Sequence, residues 1–181
     1  MFNLVKDDFD ENMDDIMNSI NKIINDENEE KEENKKEKGE KMKIIYLIGK
    51  SSVGKDTIYK KIKEKINIEP YVLYTTRPIR TGEKDGIDYN FLSNEKMNYN
   101  LKEEKSNIIE YRTYNTVYGP WTYATIKDSQ FEKENDLLME GTLESYNAVK
   151  RYFENEDKIT VIPIYIEVDD GIRLERALKR E

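Results

Sequence analysis

The sequence predicts an α/β fold in which a parallel sheet is flanked by helices and entered through a phosphate-binding loop. Three observations predict it. The run Lys43-Ile44-Ile45-Tyr46-Leu47-Ile48 is apolar without alternation, as a strand buried on both faces must be. Gly49-Lys50-Ser51-Ser52-Val53-Gly54-Lys55-Asp56-Thr57 follows directly, with the Gly-x4-Gly-Lys spacing of a Walker A loop. Ile58, Ile62 and Ile66 then recur at helical spacing. That order of elements aims backbone amides and a helix N-terminus at an anion, with Lys55 as a mobile positive charge for the terminal phosphates.

Gly49, Ser51, Ser52, Val53, Gly54, Lys55, Asp56 and Thr57 are therefore candidate ATP-binding residues. The position after the lysine ordinarily carries a Ser or Thr hydroxyl for Mg2+. Asp56 stands there instead, which makes its carboxylate a candidate Mg2+ ligand.

The 181 residues are enough for one domain with a sizeable core and an extension. The chain has neither cysteine nor histidine, so a disulfide framework and a thiolate or imidazole metal site are excluded, and any acid–base work falls to carboxylates, Lys, Tyr or solvent. Residues 1–40 contain 14 acidic and 6 basic residues, so the whole net charge of −8 resides there and the remainder is balanced. No basic stripe points to nucleic acid. Nothing resembles a signal peptide, and no apolar run approaches transmembrane length; a cytoplasmic protein without membrane partners is expected.

Phe9, Met13, Ile16, Met17, Ile20, Ile23 and Ile24 fit an amphipathic helix from about Asp10 to Asn25, with Asp7, Asp8 and Asp10 where a cap and the helix dipole favour acids. Asp26 to Lys41 is almost purely Glu, Lys and Asn and reads as a solvated linker. Residues 1–41 are thus expected to form a helical, charged extension outside the phosphate-binding unit, with residues 9–25 free to dock on a partner or on the chain's own domain.

Beyond the first helix, Tyr71-Val72-Leu73-Tyr74 reads as a short buried strand. It leads into the seventeen residues TTRPIRTGEKDGIDYNF, from Thr75 to Phe91. Arg77 and Arg80, braced by Pro78 and followed by Gly82, can aim two guanidinium groups at one phosphate. This run resembles the signature TTRxxRxGExxGxDYxF of guanylate kinases, and it follows the loop at that family's distance. The resemblance implies phosphorylation of GMP by ATP with Mg2+, on a P-loop NTPase parallel sheet carrying an inserted mixed-β GMP-binding subdomain, here residues 75–127 of a domain 42–181. By resemblance, Arg77 and Arg80 grip the GMP phosphate and Tyr89 adds a hydroxyl.

Ile108-Ile109-Glu110-Tyr111 resembles the family's FIEW element, where the Glu accepts from guanine N1–H and the 2-amino group. Val117-Tyr118-Gly119 resembles its YG element, with Tyr118 on the acceptor phosphate and Thr113 to Thr116 as the intervening turn. Two positions depart: Leu73 stands where the family often has Ser, and Pro120 where it has Thr or Ser. Trp121 and Tyr123 are candidates to pack or stack near the base.

Asp136 to Thr142 reads as a strand whose polar end opens on the crevice, as strand ends do in open α/β sheets. By resemblance to the family's LDxD element, Glu140 is a second candidate Mg2+ ligand and Thr142 contacts GMP. Leu143 to Phe153 is a helix, and Lys158 to Glu167 a central strand in which Pro163 predicts a bulge or an edge. Asp169 to Glu181 resembles the helix entering the family's lid, with Arg176 and Arg180 on one face as candidates to neutralise charge on the transferred phosphoryl, a catalytic role alongside Lys55, Arg77 and Arg80. The resemblance covers residues 43–181 and stops short of the family's lid and last strand and helix, which predicts apolar sheet surface left bare. Two other readings stay open: a non-catalytic guanylate-kinase-like binding module, and a P-loop kinase for another nucleotide.

Overall fold

The computed structural model describes residues 3–6, 17, 18, 20–22, 41–103, 107–132 and 135–180, without the side chains of 3–6, 103 and 180. The larger of its two sheets grows from the predicted strand Met42–Ile48 (β2), every residue of which is buried. Ile45 and Leu47 face one way, onto Ile58 and Ile62 of helix α1 (Lys55–Lys65); Ile44, Tyr46 and Ile48 face the other, onto Tyr146, Val149 and Phe153 of helix α3 (Leu143–Phe153). A central parallel strand must be covered on both faces, and this alternation does it. β2 is flanked by β8 (Leu137–Gly141) on one side and β9 (Ile159–Glu167) on the other; β3 (Glu69–Pro70) lies beyond β8. All these pairings are parallel, so the C-terminal ends of β2, β8 and β9 share one edge.

The fifth strand is not where the sequence predicts it. Asn3–Lys6 (β1) pairs parallel with β9 in the register Asn3↔Ile164 to Lys6↔Glu167. Residues 17, 18 and 20–22 are helical, and Met17 and Ile20 are buried in the core formed by Ile45, Leu47, Ile58, Ile162, Ile164 and Ile166. The expectation that this segment stands outside the phosphate-binding unit is therefore corrected. Its first residues also pair along the edge of β9. The predicted helix positions Phe9, Met13, Ile16, Ile23 and Ile24, and the linker, lie outside the described residues.

Three local expectations also change. Pro163 is not at a bulge, because the β2–β9 register runs through Tyr46↔Pro163 without a shift; on its other side the described β1 pairing begins only at Ile164, next to Pro163. Tyr71 to Leu73 forms no strand but carries the chain from the large sheet to the small one, between β3 and β4 (Tyr74–Thr75). Here Tyr71 Oη donates to the Ile126 carbonyl at 2.8 Å and accepts from the Ile126 amide at 2.9 Å, joining the sheets. Tyr71→Phe strands both buried groups and is expected to cost about 1–3 kcal/mol in chemical denaturation. Finally, Thr113 to Thr116 belongs to strand β6 (Ile108–Thr116), and the turn falls at Val117–Tyr118, before Gly119.

The smaller sheet runs β5-β4-β7-β6, with β5 at Asn90–Phe91 and β7 at Gly119–Ile126. Its β4–β5 pairing is parallel and the rest antiparallel, the mixed-β character expected of the inserted unit. Helix α2 (Asn94–Glu103) covers it through Met97, which packs with Ala124 and Ile126. Helix α4 (Asp170–Arg180) follows β9 at the crevice edge.

Candidate active site

The loop between β2 and α1 is shaped by two glycines for different reasons. A Cβ on Gly49 would lie 2.8 Å from Val53 Cγ2 and 3.0 Å from the Ile166 carbonyl, closer than a side chain tolerates. Gly54 caps α1 at φ 88°, in the left-handed region. Between them Val53 is buried as the loop's anchor, while Ser51, Asp56 and Thr57 face solvent. Lys55 Nζ donates to the Gly49 carbonyl at 2.9 Å and the Lys50 carbonyl at 3.1 Å, so the loop wraps its own lysine. Burial lowers the affinity of that ammonium for its proton; the Glu140 and Asp56 carboxylates act in the opposite direction.

Glu140 sits near the end of β8, and its Oε2 is buried with no hydrogen-bond partner. Burial, with the Asp56 charge adding to it, pushes its carboxyl up to about 7, against the pull of Lys55. The sign of the linkage follows. The folded protein holds a proton that the unfolded chain releases, so stability falls as pH rises from about 4.5 to about 7. With a chelator present, Glu140→Gln is expected to flatten that fall, which amounts to about 3 kcal/mol in the wild type by the usual conversion. Denaturant titrations at pH 5 and pH 8 measure it.

On the acceptor side, Arg77 is buried and held by a two-pronged ion pair: Nη1 to Glu83 Oε2 at 3.0 Å and Nη2 to Glu83 Oε1 at 2.8 Å. Its guanidinium lies over the rings of Tyr89 (5.1 Å) and Phe91 (5.6 Å). Tyr123 packs edge-on against Tyr89 at 5.9 Å and contacts Arg77. Arg80 is exposed, its amide donating to Glu83 Oε2 at 2.8 Å. The Tyr89 hydroxyl is pushed up to about 12 by burial and by the charge of Glu140, with Asp56 contributing further.

Glu110 is 7% exposed and receives a hydrogen bond from Thr125 Oγ1 at 2.9 Å. Thr142 caps α3 in a reciprocal pair with Ser145, which places its side chain beside the crevice. Tyr118 is at the hairpin tip, exposed and stacked on Trp121 at 6.3 Å, apart from the Arg77 cluster's aromatic contacts. Leu73 is buried in the core.

Beyond β9, a cleft of about 460 Å³ beside the loop is lined by Lys50, Val53, Glu167, Asp169, Asp170 and Arg173. Arg173 Nε donates to the Ser51 carbonyl at 3.0 Å and its guanidinium pairs with Asp170, so α4 braces the loop through Arg173. Arg176 lies one turn further along α4, and the Arg180 side chain lies outside the described residues. Arg173, Glu83, Thr125 and Arg112 are absent from the sequence-based site. Arg112 was legible, being two residues from Glu110 on a strand and so on the same face.

The family model for guanylate kinase matches residues 41–181. The chain belongs to the guanylate kinase family. Within that family, it is 34% identical over 130 residues to the guanylate kinase of Clostridioides difficile, covering 71% of this chain and 62% of that protein. It is 33% identical over 115 residues to the guanylate kinase of Acinetobacter baylyi, covering 62% of this chain and 54% of that protein. The chain thus spans less than two thirds of the length of these guanylate kinases. A crystal structure of guanylate kinase from Anaplasma phagocytophilum aligns with 77% of this chain and 82% of its own, at 19% identity and a TM-score of 0.48. Among the described residues no helix is long and apolar enough to cross a membrane.

The guanylate kinase family implies a divalent cation with its nucleotide. No cluster of three or more acidic side chains able to hold a metal occurs among the described residues. Two carboxylates, Asp56 and Glu140, do face one region beside Lys55, and Glu140 brings a buried oxygen without a partner. That donor set fits a hard cation whose remaining ligands are phosphate oxygens and water.

Proposed function

We propose that this protein transfers the γ-phosphoryl group of ATP to GMP, giving ADP and GDP. The reading is supported by two cationic sites in one domain of this family: the loop that wraps Lys55, and the buried Arg77 guanidinium held by Glu83 over Tyr89. Such transfer is chiefly positioning and charge neutralisation, so a chain without histidine is suited to it.

In this reading the amides of Gly49 to Thr57 and the α1 N-terminus hold the β- and γ-phosphates. Lys55 leaves its two carbonyl partners for phosphate oxygens. Asp56 and Glu140 hold Mg2+, which when bound neutralises charge on the β- and γ-oxygens. Arg77, aligned by Glu83, and Arg80 grip the acceptor phosphate with Tyr89; Glu110 and Thr142 face its base. Arg173 and Arg176 bring positive charge from α4, and the cleft beside Lys50 receives the nucleoside of ATP.

A coupled assay with ATP, Mg2+ and each of GMP, AMP, CMP and UMP tests this, with GMP expected to give the highest turnover. Consumption of another monophosphate with none of GMP would overturn the guanine assignment. Asp56 in place of a hydroxyl favours a second reading, a binding module without transfer. Tight GMP binding with no detectable ADP formation would select it.

A further inference from the structure

Glu110 carries the base-reading role proposed above, and its carboxylate is already engaged. Arg112 Nε lies 3.0 Å from Glu110 Oε2, off the line of a hydrogen bond, and Arg112 Nη2 donates to Oε1 at 3.4 Å. Thr125 Oγ1 takes a further lone pair of Oε1. The third anchor is Arg112 Nη1, which donates to Thr142 Oγ1 at 2.9 Å. Side-chain exposures of 10% for Arg112 and 4% for Glu110 make this a desolvated pair, not a surface contact.

Local backbone geometry explains the arrangement. Residues i and i+2 of a strand share a face, which sets Arg112 beside Glu110 on β6. A register shift between Ile108 and Glu110 brings Glu110 opposite Thr125 on β7. Irregularities of this kind re-aim side chains next to sites. The guanidinium then meets the carboxylate with one nitrogen per oxygen. A guanine N1–H and 2-amino group would use the same two oxygens in the same way. With Oε1 filled by Arg112 and Thr125, only Oε2 keeps open acceptor capacity, so a second fork that needs both oxygens cannot form while Arg112 stays.

We infer that Arg112 sets base discrimination in this site: by occupying Glu110 it withdraws the acceptor pair that would read the 2-amino group, so that purine monophosphates bind with little regard to that group. The inference rests on the reading of Glu110 as the base-facing residue of a nucleoside monophosphate site. Removing a buried site's hydrogen-bonding partner ordinarily produces strong discrimination. Its absence here is traced to a partner supplied from within the chain.

The test compares GMP with IMP, which lacks only the 2-amino group, by calorimetric titration of the full chain. In the wild type the two dissociation constants are expected to agree within about threefold, and Arg112→Ala is expected to favour GMP by about tenfold or more. Because a buried carboxylate loses its counter-charge in that variant, Arg112→Gln serves as a second one, retaining a polar group near Thr142 and shifting the ratio in the same direction. Circular dichroism and ATP affinity report whether each variant is folded. A wild type that already prefers GMP by tenfold, or folded variants whose ratio equals that of the wild type, overturns the role of Arg112 and leaves the kinase reading intact. If ATP binds but no nucleoside monophosphate binds to any of the three proteins, the acceptor reading itself fails, and the role of Arg112 with it.

Discussion

Ile20→Asp is expected to destabilise the protein by more than about 4 kcal/mol, enough to unfold much of a marginally stable domain. Ile20 has no solvent exposure and packs with Ile45, Ile58 and Ile164 in the core of the parallel sheet. The substitution removes apolar burial and places a carboxylate where no described cation is at hand. Asn18 and Lys22, on the same short segment, are exposed. Asn18→Asp is therefore expected to change stability by less than about 0.5 kcal/mol. Guanidinium titrations of the three proteins separate the two accounts of residues 1–40. An extension outside the phosphate-binding unit predicts that both variants behave like the wild type, whereas a structural part of the sheet predicts a large gap between them. The gap is expected because β1 and the helical residues after it close the β9 edge and one face of the sheet.

Lys55→Ala is expected to lower turnover by about 100- to 1000-fold, the range typical when one preorganised positive or donor group is lost from a developing anion. ATP affinity should fall with it, as read by calorimetry. Stability should change little, because the ammonium is partly desolvated and its two hydrogen bonds go to loop carbonyls that solvent can reach. The variant also reports on Glu140. Lys55 is the group that pulls the Glu140 carboxyl down, so its removal should move the pH-dependent loss of stability to higher pH. Wild-type ATP affinity and turnover in Lys55→Ala would show that the loop is not the donor cradle.

The elements best read from sequence are those whose signal is local. Met42–Ile48 is uniformly apolar, and α3 begins and ends where Leu143 to Phe153 predicts, helped by a Thr142–Ser145 cap four residues long. The errors share a cause. Tyr71 to Leu73 has strand chemistry, yet its role is to cross between sheets, and the decisive contact is with Ile126, 55 residues away. Pro163 is tolerated in a strand that is central further along because the described pairing of β1 with β9 begins only beyond it. The site divides in the same way. Arg77 and Glu83 lie within one short turn whose spacing already brings them together. Arg112 with Thr142 and Arg173 with Ser51 are 30 and 122 residues apart, and nothing in their spacing joins them.

By itself the sequence determined the phosphate-binding loop, the guanidinium turn and the alternation of strands and helices, because each is written in residues close along the chain. Tertiary structure alone decided where the first residues go. An edge strand is chosen by the free hydrogen-bonding edge it meets, and an amphipathic helix by the apolar face it covers. Residues 3–6 find their partner on β9, more than a hundred residues later in the chain, and Met17 and Ile20 enter a core drawn from β2, α1 and β9 together. The same physics decided that Glu110 is engaged: whether a buried carboxylate is open to a ligand depends on which cation the folded sheet sets beside it, and here that cation is Arg112.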